Sequence, residues 1–204
     1  MANEDTVAPA TWQVLGTLIK LRFTDPAEVP CTADFLTAAC NQVSELENHA
    51  VIDKPEVHQA LASLIRLGLV QVLETAGRFQ YGELTASHLG LTPSQQALFA
   101  VLLINDPLTV DELMKATYRL YPFRDSQHLT DILEELKNRA HTPLARHWPA
   151  NTRGEPRFTH SRYQENTFSL NTHKPDIHPA DELDRKVAEL GDIIDHLVKP
   201  KGGR

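Results

Sequence analysis

Arginine and aromatic side chains alternate between residues 139 and 163, and this stretch carries the strongest chemical signal of the chain. Five arginines stand there against a single acidic residue, Glu155, and Trp148 and Phe158 lie among them. Such a hairpin can hold phosphate oxygens while its rings pack against a minor groove or unpaired bases. The pattern therefore predicts contact with DNA. The candidate DNA-contacting residues of this stretch are Arg146, Arg153, Arg157 and Arg162.

The same stretch has a second interpretation that needs no ligand. Charge runs are often solvated, the aromatic rings can pack on their own domain, and the arginines can pair with an acidic neighbouring helix. The sequence alone leaves both interpretations open.

Histidines and cysteines offer a different chemistry, metal binding or nucleophilic catalysis. Cys31 and Cys40 are the only two cysteines, and no cysteine pair or acidic triplet has the spacing of metal ligands. The chain also lacks a glycine-rich phosphate loop, a G-x-S-x-G motif and an H-E-x-x-H motif. We therefore expect no catalytic residue, no metal and no cofactor, and a protein that is not an enzyme.

Composition limits the classes of partner and compartment. The 204 residues carry a formal net charge of -7, so a nucleic-acid site must be a local basic patch. No apolar run is long enough for a membrane span, and the first residues lack a signal-peptide core. With only two cysteines, the chain is typical of a reducing compartment, and we expect a cytoplasmic protein without membrane contact.

A second candidate surface lies in the first half of the chain, in the segment from Pro55 to Leu84. Apolar residues at helical spacing are followed by Gly68, a residue that favours a helix end, and then by two strand-like segments separated by a turn. A helix is also predicted over Pro9 to Leu21, another after Thr32, and a polar loop over residues 41–54. Three helices followed by a hairpin predict a winged-helix domain over residues 9–85.

The third helix of a winged helix usually enters the major groove of DNA. Its outward residues here are polar and are weakly compatible with that role. The candidate DNA-contacting residues of this helix are Lys54, His58, Gln59, Ser63 and Arg66.

The element order then repeats after a linker near residues 86–91. Thr92, Thr109 and either Asp125 or Ser126 are suited to start three helices, and two strands are predicted near Trp148 and Phe158. This second winged-helix domain covers residues 91–170. Its third helix carries Asp131, Glu134 and Glu135, carboxylates that would oppose DNA phosphates.

Both ends of the chain are expected to lie outside the two domains. Residues 1–8 are predicted to be a disordered tail, and residues 171–179 a linker. Residues 180–198 are predicted to form a final helix that either packs back on the body or pairs with a second copy as a homodimer. The candidate seam residues of this helix are Leu183, Val187, Leu190, Ile194 and Leu197.

Three ordered blocks resemble the YceH-like family of bacterial proteins. The first ends in Cys40, Asn41 and Gln42, the second runs from residue 102 to residue 123, and the third ends at Tyr163. The resemblance spans roughly residues 10–165 and implies two winged-helix domains in tandem, with no activity attached. The family often continues with basic residues and proline after the first block, where this chain has Ser-Glu-Leu-Glu-Asn-His. Asn41 itself is expected to cap the helix that contains Cys40.

Together these observations predict a mainly α protein with small β-hairpins, of the α+β class, with two tandem winged-helix domains and a C-terminal helix. The expected function is that of a DNA-contacting regulator that binds double-stranded DNA. The alternative is a protein–protein interaction scaffold that does not bind DNA and recognises a partner protein.

Overall fold

A computed structural model describes residues 8–47 and 51–163, and within these it leaves out the side chains of residues 43–47. The described chain is mainly helical with two small antiparallel sheets, which confirms the α+β class. The elements of its first half are α1 (Pro9–Thr24), α2 (Ala33–Glu47), α3 (Lys54–Arg66), β1 (Val70–Thr75) and β2 (Arg78–Glu83). Those of its second half are α4 (Thr85–Leu89), α5 (Pro93–Ile104), β3 (Leu108–Thr109), α6 (Val110–Thr117), α7 (Ser126–Lys137), β4 (Ala145–Trp148) and β5 (Arg157–His160).

Local sequence signals explain where α3 and the first hairpin begin and end. The Asp53 side chain accepts from the backbone N–H of Glu56, and the Glu56 side chain accepts from the N–H of Asp53, which forms a capping box. Gly68 has a φ of +69° after the last turn of α3, a conformation that suits glycine. Ala76 and Gly77 have φ values of 52° and 72°, as a tight two-residue hairpin turn requires.

Each half builds a three-stranded arrangement on the same plan. In the first half, β2 pairs with β1 on one side and with Cys31 on the other, through a bridge between Cys31 and Tyr81. In the second half, the sheet order is β3–β5–β4. The two-residue β3 was not predicted from the sequence because a strand so short leaves no alternating pattern to detect.

The predicted polar loop over residues 41–54 is wrong at both ends. Helix α2 continues to Glu47, and α3 begins at Lys54. The expectation that Asn41 caps a helix end is also wrong, because Asn41 lies inside α2. Its amide group instead donates to Ile52 O at 3.0 Å and accepts from Ile52 N–H at 2.9 Å, so it holds the connection that leads into α3.

The two halves are joined by a close helix crossing and one hydrophobic core. Buried residues of α1, α3, α5 and α7 belong to a single cluster. At the crossing of α1 with α5, a Cβ atom placed on Gly16 would lie 2.5 Å from Ile104 Cγ2 and 2.8 Å from Leu103 Cβ. Only a glycine fits this approach. The stretch expected as a linker between the halves forms α4, which ends at Gly90 with a φ of +63°.

Several predictions fall on residues outside the described ranges. These are residues 1–7 of the tail predicted over residues 1–8, the linker over residues 171–179, and the helix over residues 180–198 with its candidate dimer seam. Within the described residues, every helix is too short or too polar to cross a membrane.

Candidate interaction surfaces

The predicted DNA-contacting residues of α3 lie on one exposed face, but their charges are largely balanced. Lys54 Nζ lies 2.5 Å from Asp34 Oδ1, and the hydrogen bond from Lys54 lowers the pKa of that carboxyl group. The exposed His58 ring lies with Nδ1 2.8 Å from Lys54 O, and Arg66 Nη2 donates to Ser63 Oγ at 3.3 Å. Gln59 is exposed beside them. With Glu56 on the same helix, the α3 face is polar without being strongly basic.

The first hairpin and the end of α3 expose large apolar side chains. We call this set the hairpin-1 surface: Ile65, Leu67, Val72, Leu73 and Phe79. Phe79 is 61% exposed and Val72 is 44% exposed. In the β1–β2 register, Val72 opposes Tyr81 and Glu74 opposes Phe79. Side chains alternate along a strand, so Val72, Glu74 and Phe79 share one face of the hairpin while Leu73 lies on the other.

The outer edge of β1 is open among the described residues. Leu84 N–H donates to Leu69 O at 2.8 Å, and hydrogen-bonded pairs alternate along an antiparallel ladder. Val72 and Glu74 therefore fall at positions whose backbone groups point away from β2. The opposite strand agrees, because the N–H and C=O groups of Tyr81 are used by Cys31 rather than by Val72. No described strand pairs with β1 on its outer side.

The second hairpin uses several of its arginines within the protein. Arg146 donates to the backbone oxygen of Tyr163, and its guanidinium carbon lies 4.9 Å from the centre of the Trp148 ring. Arg157 Nε donates to Pro149 O at 3.0 Å. Arg139, just before the hairpin, donates to the backbone oxygen of Leu89.

Two other predicted arginines of this hairpin are exposed to solvent. The side chains of Arg153 and Arg162 are exposed, and neither guanidinium group makes a hydrogen bond or ion pair within the described part of the chain. Glu134 of the acidic α7 pairs instead with Lys137 of the same helix, whose Nζ lies 2.7 Å from Glu134 Oε1 and 2.7 Å from His147 Nε2. The hydrogen bond from Lys137 lowers the pKa of Glu134.

Beneath this hairpin lies a buried aromatic cluster that the sequence did not reveal. His160 is 1% exposed, and its ring centre lies 6.1 Å from that of Trp12 in α1 and 5.9 Å from that of Tyr163. Tyr163, one of the family-motif residues, donates from its hydroxyl to Asp106 Oδ1 at 2.8 Å. Burial, with the nearby charge of Arg146, lowers the pKa of His160 to about 3. The ring is therefore neutral at physiological pH.

A buried carboxylate joins the first hairpin to the second half. Glu83 Oε1 lies 2.6 Å from Arg22 Nη1 and accepts from Gln96 Nε2 at 2.8 Å. Its second oxygen accepts from the N–H of Thr85 at 2.7 Å and from the Thr85 hydroxyl group. The network joins α1, β2, α4 and α5, so the base of the first hairpin is fixed on the body. A glutamate at a strand end gives no local sequence signal for such a role.

Cys40, another family-motif residue, lies buried in the core together with Cys31. Burial raises the pKa of Cys31 to about 11 and that of Cys40 to about 12, so neither thiol is a ready nucleophile. Gln42 is exposed next to Asn41. Within the described ranges, no three His, Cys, Asp or Glu side chains come together as a metal site.

Comparisons with known proteins place these features among bacterial relatives. The family model described as "Protein of unknown function, DUF480" matches residues 7–153. A UPF0502 protein of Geobacter sulfurreducens is 32% identical over 72% of this chain and 68% of its own length. One of Geotalea daltonii is 37% identical over 62% of this chain and 59% of its own length. One of Pseudomonas savastanoi pv. phaseolicola is 29% identical over 91% of this chain and 89% of its own length.

Proposed function

The chain belongs to the DUF480 family, and because the names of its UPF0502 relatives state no activity, we propose a function from the geometry. The protein is a non-enzymatic scaffold of two winged-helix domains, and it recognises a partner protein through its first hairpin. The family assignment agrees with the resemblance to YceH-like proteins. The element order of each half, helix, short strand, helix, helix and hairpin, supports the winged-helix assignment.

The observation that carries the proposal is the open edge of β1 beside exposed apolar side chains. An exposed sheet edge with apolar residues is costly for a protein to keep, because it invites unwanted strand pairing. Here Val72 and Glu74 offer backbone donors and acceptors, and Val72 and Phe79 offer apolar contacts on one face. An extended segment that adds to β1 would satisfy both sets of groups at once.

The chemistry of the hairpin defines the partner segment. It pairs with β1 as a strand, so its side chains alternate between the two faces of the enlarged sheet. On one face of the sheet, apolar side chains of the partner segment pack against Val72 and Phe79. A basic side chain of the partner segment suits the position beside Glu74. The Glu83 network keeps the hairpin in place before binding, which reduces the ordering cost of association.

The test uses the full-length chain purified from its own cells, with two substitutions at one position. Val72→Pro removes the outward N–H group, whereas Val72→Thr keeps the N–H and a similar side-chain shape. We expect a stoichiometric partner protein that co-purifies with the wild type and with Val72→Thr and is lost with Val72→Pro, while circular dichroism shows all three folded. Equal recovery of that partner with Val72→Pro would refute recognition through the β1 edge.

A second candidate function, contact with double-stranded DNA, rests on a different observation. Arg153 and Arg162 are exposed on the second hairpin, and their guanidinium groups make no hydrogen bond or ion pair within the described residues, so they remain available for phosphates. If they bind DNA, affinity for a random duplex falls steeply with salt and falls again in the Arg153→Ala, Arg162→Ala double variant. Affinity that the double variant leaves unchanged would exclude this hairpin as the contact.

A further inference from the structure

A cleft of about 470 Å³ lies where α4 meets the loop between α7 and β4. Its lining residues are His88, Leu89, Arg139, Ala140, His141 and Thr142. Pockets that hold small ligands begin at about 300 Å³, so the cleft is large enough for a small molecule. It shares no lining residue with the hairpin-1 surface or with the exposed arginines of the second hairpin.

The cleft contains an arginine with an unused buried donor. One terminal nitrogen of Arg139 donates to the backbone oxygen of Leu89, which fixes the side chain across the cleft. The Nε–H group of the same guanidinium is buried and meets no acceptor among the described residues. A buried donor without a partner destabilises the protein, and more so when it belongs to a charged group. An oxyanion in the cleft can accept from the guanidinium group of Arg139, which lines the cleft, because guanidinium groups match the geometry of phosphate and carboxylate oxygens.

The other polar lining residues are donors, and none of the six is acidic. His88, His141 and Thr142 are exposed to the cleft solvent, and each can donate to an oxygen atom. The His88 ring is positioned by the base of the first hairpin, since a Cβ atom on Gly68 would lie 2.9 Å from His88 Cε1. Glu135, which lies on α7 and outside the lining, accepts a hydrogen bond from Gln95 Nε2 at 2.8 Å. The chain as a whole has a net charge of -7, yet the side chains that line the cleft are donors without a carboxylate among them. This lining favours an anionic ligand.

We propose that this cleft binds a small molecule through a phosphate-type oxyanion, with Arg139, His88 and His141 as its ligands. Arg139 supplies the fixed charge, and the two histidines come from two different segments of the lining. His88 belongs to α4, whereas Arg139 and His141 belong to the loop between α7 and β4. A bound oxyanion therefore bridges α4 and this loop and stabilises their arrangement.

Inorganic phosphate is the first probe, titrated into the full-length protein at constant ionic strength with chloride as the reference anion. We expect saturable changes in the NMR signals of the His88 and His141 rings, and a rise in melting temperature that chloride does not produce. The double variant His88→Gln, His141→Gln should weaken the phosphate midpoint at least tenfold. The matched control is His58→Gln, an exposed histidine on α3, which should leave the midpoint unchanged.

Arg139→Lys provides an independent variant, because lysine keeps the charge but lacks the Nε–H group and the planar fork. It should also weaken phosphate binding at least tenfold while the far-ultraviolet spectrum stays native. Changes that never saturate, or a midpoint that the double variant leaves unaltered, would overturn the proposal. Neither result depends on recognition by the β1 edge, so the two proposals fail separately.

Discussion

At the scale of single residues, His160 makes the stability of the protein depend on pH. The ring is almost fully buried, and its pKa is lowered to about 3 from an ordinary value of 6.5. A histidine whose pKa is lower in the folded than in the unfolded protein contributes its full stability above the unfolded-state pKa. That contribution is lost as the pH falls from the unfolded-state pKa toward the folded-state pKa. The free energy that holds the second hairpin on α1 is therefore greatest at neutral pH.

We predict that the free energy of unfolding falls by about 2 kcal/mol between pH 7 and pH 5, since each pH unit below the unfolded pKa is worth about 1.4 kcal/mol. Urea denaturation across this range measures it. His160→Phe keeps an aromatic ring against Trp12 and Tyr163 but cannot be protonated, so its stability should be nearly constant from pH 7 to pH 5. A variant that retains the wild-type slope would show that another group titrates.

Asn41 controls stability through two hydrogen bonds to one residue. Its side chain satisfies both the N–H and the C=O of Ile52, which is 4% exposed. We predict that Asn41→Ala lowers the free energy of unfolding by about 1–3 kcal/mol, because it leaves buried backbone groups without partners. The adjacent Gln42→Ala removes an exposed side chain and serves as the control, with an expected change within about 0.5 kcal/mol. Equal losses in the two variants would contradict this role for Asn41.

At the scale of elements, the crossing of α1 with α5 depends on the absence of a side chain at Gly16. Alanine there would place Cβ within 2.8 Å of Leu103 Cβ and 3.1 Å of Ala100 O, closer than side chains pack. We predict that Gly16→Ala lowers the free energy of unfolding by about 1–3 kcal/mol, despite the better helix propensity of alanine. Thermal denaturation measures it. Gly82→Ala, where the nearest atom would be 3.4 Å away, should cost less, and the reverse order would refute the tight crossing.

The elements that the sequence predicted well are those with local signals. Thr92, Thr109 and Asp125 each cap the helix expected from them, because a capping side chain acts within three residues of itself. Periodic apolar positions likewise identified the buried face of α3. These features need no knowledge of the rest of the chain.

Other features depend on contacts between distant residues, and the sequence could not reveal them. Asparagine is a residue type that often caps helices, but the hydrogen-bond partner of Asn41 is eleven residues away. Arg146 and Arg157 belong to a basic run, yet both donate to backbone oxygens that only the folded hairpin supplies. Glu83 and His160 lie in unremarkable strands and acquire their roles through burial against α1 and α5. Charge and composition predict a surface only when tertiary contacts leave the side chains free.

At the scale of the whole molecule, the described chain combines a shared hydrophobic core with an open strand edge at β1. The shared core and the Glu83 network fix both halves, while β1 keeps exposed apolar side chains and outward backbone groups. The α3 face is nearly neutral, and three arginines of the second half are occupied internally. This distribution favours recognition of a protein over recognition of a phosphate backbone.

The most direct measurement of this claim is photo-crosslinking in living cells from two positions of the full-length chain. The crosslinking residue p-benzoyl-phenylalanine replaces Val72 on the β1 edge in one variant and Thr152 on the second hairpin in the other. We predict a single discrete protein adduct from position 72, weaker or absent from position 152, and no DNA adduct from either. A DNA adduct from position 152 without a protein adduct from position 72 would contradict the scaffold and establish the second hairpin as a DNA contact.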